Sequence, residues 1–342
     1  MLDLKAMVLK EKVRPGGEIA KLFYEEVETP KAGPGEVVIR LRNAALNRRD
    51  VFVRQGLYPG IKVPSIPGSD GAGLLEEIGQ GVTGFEVGNE VIINPGMGWG
   101  DNPKFPNPNF SVLGVPINGT YAQFIKVPAD NVFLKPSHLT WEEAAALPLA
   151  GLTAYRAVVT KGQVQEGDVV IIPGIGGGVA TVALQIAVAH GAKVYVTSSS
   201  EEKIEKAIKL GASGGVNYKN ENWVKELREL TGGADLSIDS IGGDTFKDLI
   251  TLANPGSKIV SFGSTLGAVN NLLMPRIFFK QLFIMGTTMG NPEEFRKMLE
   301  LYTEHQLKPT VDKVFALEDV EEAHRQMENG NQFGKIVLTI PH

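Results

Sequence analysis

Apolar and polar positions alternate in short runs over the first third of the chain. Residues 37–41 have the two-residue period of a half-buried strand, and residues 90–93 and 121–127 form further short apolar runs. Glycine and proline are frequent between these runs, which is typical of turns. The pattern therefore predicts a β-rich N-terminal domain.

Beyond residue 128 the apolar positions change to a helical period. Helices are predicted at residues 141–147, 151–160, 223–230, 245–252, 292–305 and 317–328. Strands are predicted among and after them at residues 236–239, 259–262 and 335–340. Because strands that alternate with helices form a parallel, doubly wound sheet, the chain is assigned to the α/β class.

Residues 168–203 have the most informative order of elements: strand, glycine turn, helix, strand. A β-branched run at residues 169–172 is followed by four glycines, by apolar residues at helical spacing, and by a second apolar run at residues 194–196. Glycines let the backbone approach a pyrophosphate closely, and the helix start directs free N–H groups at it. The glycines resemble the G-x-G-x-x-A motif, with Gly176 and Gly178 or Gly174 and Gly177 as anchors and Ala180 where a third glycine often lies. The predicted dinucleotide contacts are Gly174, Gly176, Gly177, Gly178 and Val179.

The end of the second strand of this unit distinguishes NAD from NADP. An acidic residue there favours NAD through the ribose 2′-hydroxyl, whereas hydroxyl groups and a lysine accept the 2′-phosphate of NADP. Ser198, Ser199 and Lys203 lie in this segment, so NADPH is the predicted cofactor. A compatible alternative is that Ser199 caps the next helix with Glu202, while Lys203 lies on a solvated face.

Length and composition limit the class of protein. The 342 residues exceed one hydrophobic core and indicate two domains. A formal charge of −5 without a dense lysine or arginine run argues against a nucleic-acid partner. No apolar segment is long enough for a signal peptide or a membrane span. We expect a cytoplasmic enzyme that acts on a small molecule.

Cysteine and histidine content excludes several kinds of site. The chain has no cysteine, which rules out disulfides, thiol nucleophiles and cysteine-bound zinc. Its five histidines lack the short spacings that bring two ligands to one helix face. A protein-bound catalytic metal is therefore not expected.

Four segments outside the nucleotide unit carry a resemblance to a known family: residues 44–60, 66–92, 239–246 and 333–338. With the nucleotide unit, they make the chain resemble the medium-chain dehydrogenase/reductases, in the zinc-free quinone oxidoreductase branch. The resemblance implies a GroES-like catalytic domain formed by residues 1–130 and 287–342. It also implies a Rossmann domain formed by residues 131–286, and an active site in the cleft.

Alcohol-oxidising members of this family bind a catalytic zinc, and the chain departs from them at the ligand positions. They have a cysteine in the segment that matches residues 44–50 and a His-Glu pair that matches Ser69 and Asp70. They also hold a four-cysteine structural zinc in a lobe that matches residues 94–118, which keeps its length here without a cysteine. Long loops of this kind often contact a ligand or a partner. One hypothesis is that Trp99 or Phe105 contacts substrate or a second subunit.

Without zinc, hydrogen-bond donors must stabilise the negative charge that arrives with hydride. The resemblance implies Asn47 and Tyr58 for this role, and Tyr58 also matches a tyrosine proposed as proton donor in enoyl-thioester reductases. The alternatives are that Asn47 satisfies backbone groups at a strand end and that Tyr58 belongs to a Tyr-Pro-Gly turn. Asp50 and Asp70 are expected to be structural.

Three further residues are predicted at the cofactor. Tyr218 matches a position near the 2′-phosphate in NADPH-dependent relatives, or alternatively is a core residue. Gly263 and Ser264 follow a predicted strand at the carboxyl edge of the sheet, where contacts to the nicotinamide ribose are expected.

The expected reaction is hydride transfer from NADPH to a quinone or an α,β-unsaturated carbonyl, because a conjugated acceptor spreads the incoming charge without a metal. Phe52 replaces a second tyrosine of some quinone reductases, which makes a quinone less certain. The alternatives are an enoyl-thioester (CoA or ACP) reductase and a non-catalytic nucleotide-binding regulatory or structural protein. The apolar run at residues 281–287 predicts an edge strand that pairs with its twin, so a homodimer is expected.

Overall fold

The first part of the chain is built mainly from strands. The computed structural model describes residues 4–342. In chain order the first elements are β1 (Leu4–Leu9), β2 (Leu22–Val27), β3 (Glu36–Ala45), α1 (Arg48–Arg54), β4 (Asp70–Ile78), β5 (Glu90–Ile93), β6 (Gly96–Met97), β7 (Ser111–Leu113), β8 (Pro116–Ile117), β9 (Phe124–Pro128), β10 (Val132–Leu134) and α2 (Trp141–Ala146).

The middle of the chain alternates helices and strands. Its elements are α3 (Pro148–Tyr155), a π-helical segment (Arg156–Lys161), β11 (Val169–Ile172), α4 (Gly178–Ala189), β12 (Lys193–Ser198), α5 (Glu201–Lys209), β13 (Gly214–Asn217), α6 (Trp223–Thr231), β14 (Ala234–Asp239), α7 (Thr245–Leu252), β15 (Ala253–Ser261), α8 (Met274–Phe279) and β16 (Phe283–Gly286). The last elements are α9 (Pro292–Glu304), β17 (Val311–Ala316), α10 (Val320–Asn329) and β18 (Lys335–Thr339).

These elements pack into two units. The first combines the chain up to Ala150 with Gly290–His342, and the second is Gly151–Met289. The predicted boundaries, after residues 130 and 286, differ from these. β10 pairs with β5, and α2 packs on β3 and β4, so both elements belong to the first unit.

The main sheet of the first unit has the order β10-β5-β4-β3-β18-β17, and β9 also pairs with β3. The antiparallel pairing of β18 with β3, which brings Leu338 opposite Ala44, places the end of the chain at the centre of this sheet. Alternate residues of β3, including Val37, Ile39 and Leu41, lie in one hydrophobic core. Removal of these side chains from water is the main force that holds the sheet together.

The second unit contains a six-stranded parallel sheet with the order β13-β12-β11-β14-β15-β16. From β11 the chain continues outward to β12 and β13 on one side, and then returns to β14 on the other side. The boundary between β11 and β14 is therefore the topological switch point of this doubly wound sheet. Ile171, Leu249 and Ile259 belong to a core formed by this sheet and its helices. The predicted α/β class, with a GroES-like domain and a Rossmann domain, is confirmed.

Several predicted elements differ in detail from those observed. The helix predicted at residues 151–160 is α3 followed by the π-helical segment. The strand predicted at residues 121–127 starts only at Phe124, because the backbone of Tyr121 bonds instead to Pro67 and Met7. None of the helices within residues 4–342 is both long enough and apolar enough to cross a membrane.

Candidate functional site

The glycine turn after β11 has the backbone conformation that the motif requires. Gly174 and Gly176 have φ values of +64° and +134°, which strain any residue with a side chain. The Gly174 N–H donates to Thr197 Oγ1 at 3.2 Å, and the Ile175 N–H donates to the Thr197 carbonyl oxygen at 2.8 Å. Thr197, on β12, therefore fixes the turn, a role that the sequence analysis did not assign.

The start of α4 directs its first backbone N–H groups toward the glycine turn. Gly177 is the N-cap residue, and Gly178 and Val179 are the first two helical residues. The first amides of a helix have no partner within it, and no acidic residue lies in this first turn. A helix start of this kind favours an anionic ligand.

The end of β12 contains hydroxyl groups with different local partners. Ser198 Oγ accepts a hydrogen bond from the Ser200 N–H at 3.2 Å, and Ser200 Oγ accepts one from the Lys203 N–H at 3.4 Å. The N-cap of α5 is therefore Ser200, so the proposed capping by Ser199 is wrong. Neither of these two turns uses the Ser199 hydroxyl.

Tyr218 lies beside this strand end. Its N–H donates to the Ser198 carbonyl oxygen at 3.0 Å, which extends the pairing of β12 with β13. The side chain is 45% exposed, so the alternative of a core tyrosine is wrong. The nearby Glu201 accepts a hydrogen bond from Asn217 Nδ2 at 2.9 Å. Lys203 is half-buried on α5.

The segments after β14 and β15 lie against each other at the carboxyl edge of the sheet. A Cβ atom on Gly263 would lie 2.9 Å from the Ser240 carbonyl oxygen, so glycine permits this close approach. Ser264 Oγ donates to the Gly267 carbonyl oxygen. Asp239 ends β14 and accepts from the N–H groups of Ile241 and Gly242. Burial raises the pKa of the Asp239 carboxyl.

In the first unit, three buried polar side chains contact one another. Asn47 precedes α1, Asp70 begins β4 and Lys335 begins β18. Asn47 Nδ2 donates to Asp70 Oδ2 at 2.9 Å, and Lys335 Nζ donates to Asn47 Oδ1 at 2.7 Å. Lys335 Nζ also lies 2.8 Å from Asp70 Oδ2. The Asn47 side chain thus bonds to two other side chains, and Asn47 is also the N-cap residue of α1.

Backbone groups and neighbouring side chains hold this cluster in place. Asp70 Oδ1 accepts from the Leu149 N–H at 2.8 Å. Asp50 Oδ2 accepts from the Asn47 N–H at 2.8 Å and from the Tyr121 hydroxyl at 3.0 Å. Burial raises the pKa of Asp50, although Arg49 and these hydrogen bonds oppose the shift. Burial and the Asp50 charge raise the pKa of Tyr121 well above its ordinary value. Both carboxylates therefore hold neighbouring groups, as expected from the sequence.

Tyr58 lies near the cluster but has a different partner. Its half-buried ring lies under the Arg49 guanidinium, with 4.5 Å from Cζ to the ring centroid. Arg49 donates to Ser69 Oγ at 2.6 Å and to the carbonyl oxygens of Leu113 and Val115. Within residues 4–342, no hydrogen bond joins Tyr58 to Asn47. Arg49 therefore contacts both the Tyr58 ring and the lobe at residues 94–118.

This lobe has an aromatic centre. Trp99 is buried and packs edge-on against Phe110, with ring centroids 5.3 Å apart. Trp99 Nε1 donates to the Asn102 carbonyl oxygen at 2.9 Å. Trp99 therefore belongs to the interior of the lobe, whereas Phe105 is 60% exposed. The hypothesis that one of them contacts substrate or a second subunit stays a prediction.

The residues at the zinc-ligand positions do not suit a zinc ion. Within the described part of the chain, no three histidine, cysteine, aspartate or glutamate side chains converge. Asp70, the one carboxylate among Asn47, Ser69 and Asp70, already pairs with the Lys335 ammonium. A cation in contact with the only charged ligand opposes a second, divalent cation.

Comparisons with known proteins cover nearly the whole chain. Residues 33–137 match the alcohol dehydrogenase GroES-like domain, and residues 178–304 match the zinc-binding dehydrogenase domain. A zinc-type alcohol dehydrogenase-like protein of Leptosphaeria maculans is 39% identical over 98% of this chain and 99% of its own. An acryloyl-coenzyme A reductase of Sulfurisphaera tokodaii is 31% identical over 92% of this chain and 95% of its own. A crystal structure of an NAD-dependent alcohol dehydrogenase superposes with a TM-score of 0.92 at 38% identity, covering 98% of this chain and all of that one.

Proposed function

The chain belongs to the medium-chain dehydrogenase/reductase family of oxidoreductases, and we propose that it is an NADPH-dependent reductase that works without a metal. Hydride passes to the electron-poor carbon–carbon double bond of an α,β-unsaturated carbonyl, or to a quinone. The observation that carries this proposal is the buried cluster of Asn47, Asp70 and Lys335. Asn47 and Asp70 lie in the segments that match the zinc ligands of alcohol-oxidising relatives.

The chemistry follows from the donors in this cluster. Reduction of a simple carbonyl concentrates charge on one oxygen, which a Lewis acid normally stabilises. A conjugated acceptor spreads the same charge over an enolate or phenolate, so a neutral hydrogen-bond donor suffices. We assign this role to the Asn47 carboxamide. Tyr58 or water supplies the proton that completes the reduction.

In the proposed complex, the cofactor's pyrophosphate would bind at the glycine turn and at the start of α4. The residues concerned are Gly174, Gly176, Gly177, Gly178 and Val179. Ser198, Ser199, Lys203 and Tyr218 would hold the 2′-phosphate, and Gly263 and Ser264 would bind the nicotinamide ribose. Support for NADPH comes from the absence of an acidic residue among residues 193–200, which span β12 and its end. The NAD-dependent name of the similar crystal structure favours the other cofactor.

Fluorescence titration with NADPH and NADH tests the cofactor. We expect NADPH to bind at least about 10-fold more tightly, since a charge-assisted hydrogen bond contributes roughly 1.5–3 kcal/mol. Ser199→Glu places a carboxylate at the strand end and should reverse the preference, whereas Ser213→Glu, on the loop before β13, serves as the control. Tighter binding of NADH by the unchanged protein would contradict the assignment.

Steady-state NADPH oxidation tests the reaction, with menadione, cinnamaldehyde and crotonyl-CoA as acceptors and protein dialysed against a chelator. Asn47→Ala should lower kcat by about 100- to 1000-fold, the usual effect of removing an oxyanion donor. Asn43→Ala is the matched control, because Asn43 is also buried and its side-chain amide donates to the Leu338 carbonyl oxygen at 3.2 Å. Activity that needs added zinc, or that survives Asn47→Ala, would refute the proposal.

Two alternatives have separate signatures in this assay. The similarity to an acryloyl-coenzyme A reductase favours an enoyl-thioester reductase, for which crotonyl-CoA would be the best acceptor by kcat/KM. Tight NADPH binding without turnover of any acceptor would favour the non-catalytic, nucleotide-binding protein.

We also propose that the protein is a homodimer joined through β16. This strand ends the sheet of the second unit, and its Phe283 and Ile284 side chains are 58% and 40% exposed. Phe279, just before it, is 79% exposed. An apolar edge strand needs a partner, and a second copy offers the same edge. Light scattering should give twice the chain mass, and Ile284→Lys should give the monomer. A wild-type monomer would refute the proposal.

A further inference from the structure

We propose that Lys335 and Asp70 are positioning residues that hold the Asn47 carboxamide in its working orientation. This inference rests on the proposed role of Asn47 as a donor to the substrate. It assigns a part in the reaction to two residues that touch neither substrate nor cofactor in our proposal.

The two residues hold opposite ends of one amide. Lys335 Nζ contacts Asn47 Oδ1 at 2.7 Å, and Asp70 Oδ2 accepts from Asn47 Nδ2 at 2.9 Å. The ion pair between Lys335 and Asp70, at 2.8 Å, closes a ring of three contacts. Because a cation prefers the oxygen and a carboxylate prefers the nitrogen, a flipped amide would lose both hydrogen bonds. The pair therefore selects one of two rotamers.

The backbone of Asn47 is fixed independently of its side chain. Its N–H donates to Asp50 Oδ2, and its carbonyl oxygen accepts from the Asp50 N–H at 2.9 Å. Asp70 is itself fixed through Oδ1, which accepts from the Leu149 N–H. Only the χ angles of Asn47 remain to be set, and the Lys335 and Asp70 pair sets them.

The same arrangement leaves one donor on Asn47 and strengthens it. An asparagine amide has two N–H bonds, and Asp70 uses one of them. Within residues 4–342, the second N–H has no protein acceptor. The Lys335 ammonium beside the amide oxygen polarises the whole carboxamide. This second N–H therefore becomes a better donor to a developing oxyanion. Lys335 thus stabilises the transition state through Asn47.

A double-mutant cycle with Asn47 tests this path. Lys335→Met should lower kcat by about 10-fold or more, and should lower it no further when Asn47→Ala is already present, because the effect passes through that amide. Lys135→Met is the matched control: its side chain is 5% exposed, like the 4% of Lys335, and pairs with Glu90 at 3.1 Å. That control should keep kcat. If Lys335→Met does not fold, Lys335→Met/Asp70→Asn replaces it, since it leaves no unpaired charge.

Two results would overturn the inference. One is that the fold-losses of kcat in Lys335→Met and Asn47→Ala multiply in the variant that carries both changes, which would mean that Lys335 acts independently of Asn47. The other is an equal loss of kcat in Lys135→Met, which would mean that any buried lysine variant disturbs the fold.

A readout that does not need turnover separates this inference from the proposed function. The side-chain amide NMR signal of Asn47, assigned by its loss in Asn47→Ala, should shift in Lys335→Met and stay fixed in Lys135→Met. An unshifted signal overturns the positioning role. Unchanged turnover in Asn47→Ala, or turnover of none of the three acceptors, overturns the proposed function instead, even when the signal shifts as expected.

Discussion

Replacement of His324 should make the protein more resistant to acid. His324 lies on α10 with 0% exposure, and neither ring nitrogen has a hydrogen-bond partner among the described residues. Its ring packs edge-on against Tyr121 at 6.1 Å. Arg54 is the charged group that acts on it, and Glu321 pairs with that arginine. A protonated imidazole has no acceptor in this environment.

Burial, with repulsion from Arg54, lowers the pKa of His324 from 6.5 to about 3. Between these two pH values the unfolded chain binds a proton that the folded protein does not bind, so stability falls as the pH falls. At pH 4.5 the loss amounts to about 3 kcal/mol, since each pH unit below 6.5 contributes about 1.4 kcal/mol. For a unit of this size, that corresponds to a decrease in Tm of roughly 6–12 °C.

Thermal unfolding at pH 7.5 and pH 4.5 measures this effect in His324→Leu. The variant cannot bind the proton, so the Tm difference between variant and wild type should grow by roughly 6–12 °C at the lower pH. His305→Leu, at an exposed position, is the control and should follow the wild type. Parallel losses of Tm in wild type and His324→Leu would refute the reasoning.

Three further predictions concern single contacts. Thr197→Val removes the acceptor of the Gly174 N–H and should weaken NADPH binding up to about 10-fold in the fluorescence titration, since one hydrogen bond contributes roughly 0.5–1.5 kcal/mol. Trp99→Ala should lower the free energy of unfolding of the first unit by about 3–5 kcal/mol in denaturant unfolding, and added zinc should not restore it. Phe105→Ala, at an exposed position, should change this free energy by less than about 0.5 kcal/mol. Lys280→Met removes hydrogen bonds to three carbonyl oxygens at the end of α7 and should lower stability by about 1–2 kcal/mol in the same measurement.

Much of the fold was predictable because local sequence patterns determine it. The βαβ unit around Gly174 to Val196 has its strand, turn and helix signals within one short segment, and that order leaves few arrangements for a parallel sheet. The extent of the first unit was not predictable in the same way. It depends on the pairing of β10 with β5, about 40 residues apart, which no local pattern specifies.

The candidate site was predictable in part. Asn47 and the cofactor turn were chosen from the residues themselves and from the family resemblance, and both remain predictions for experiment. Lys335 was missed, although it lies in the segment 333–338 that carries part of the resemblance. Its partner Asp70 lies 265 residues earlier, and the pairing of β3 with both β18 and β4 brings them together. A lysine at the start of the apolar strand predicted at residues 335–340 was the available signal, since lysine is rarely buried without a partner.

The destination of the hydride tests the central claim most directly. Chelator-dialysed protein is incubated with cinnamaldehyde and NADPH deuterated at C4 of the nicotinamide, in both stereochemical forms, and the products are analysed by mass spectrometry and NMR. We predict that one form gives dihydrocinnamaldehyde with deuterium on the β-carbon. Cinnamyl alcohol with deuterium on the former carbonyl carbon would show carbonyl reduction instead and would contradict the account. Formation of no deuterated product, together with no oxidation of NADPH by menadione, would also contradict it.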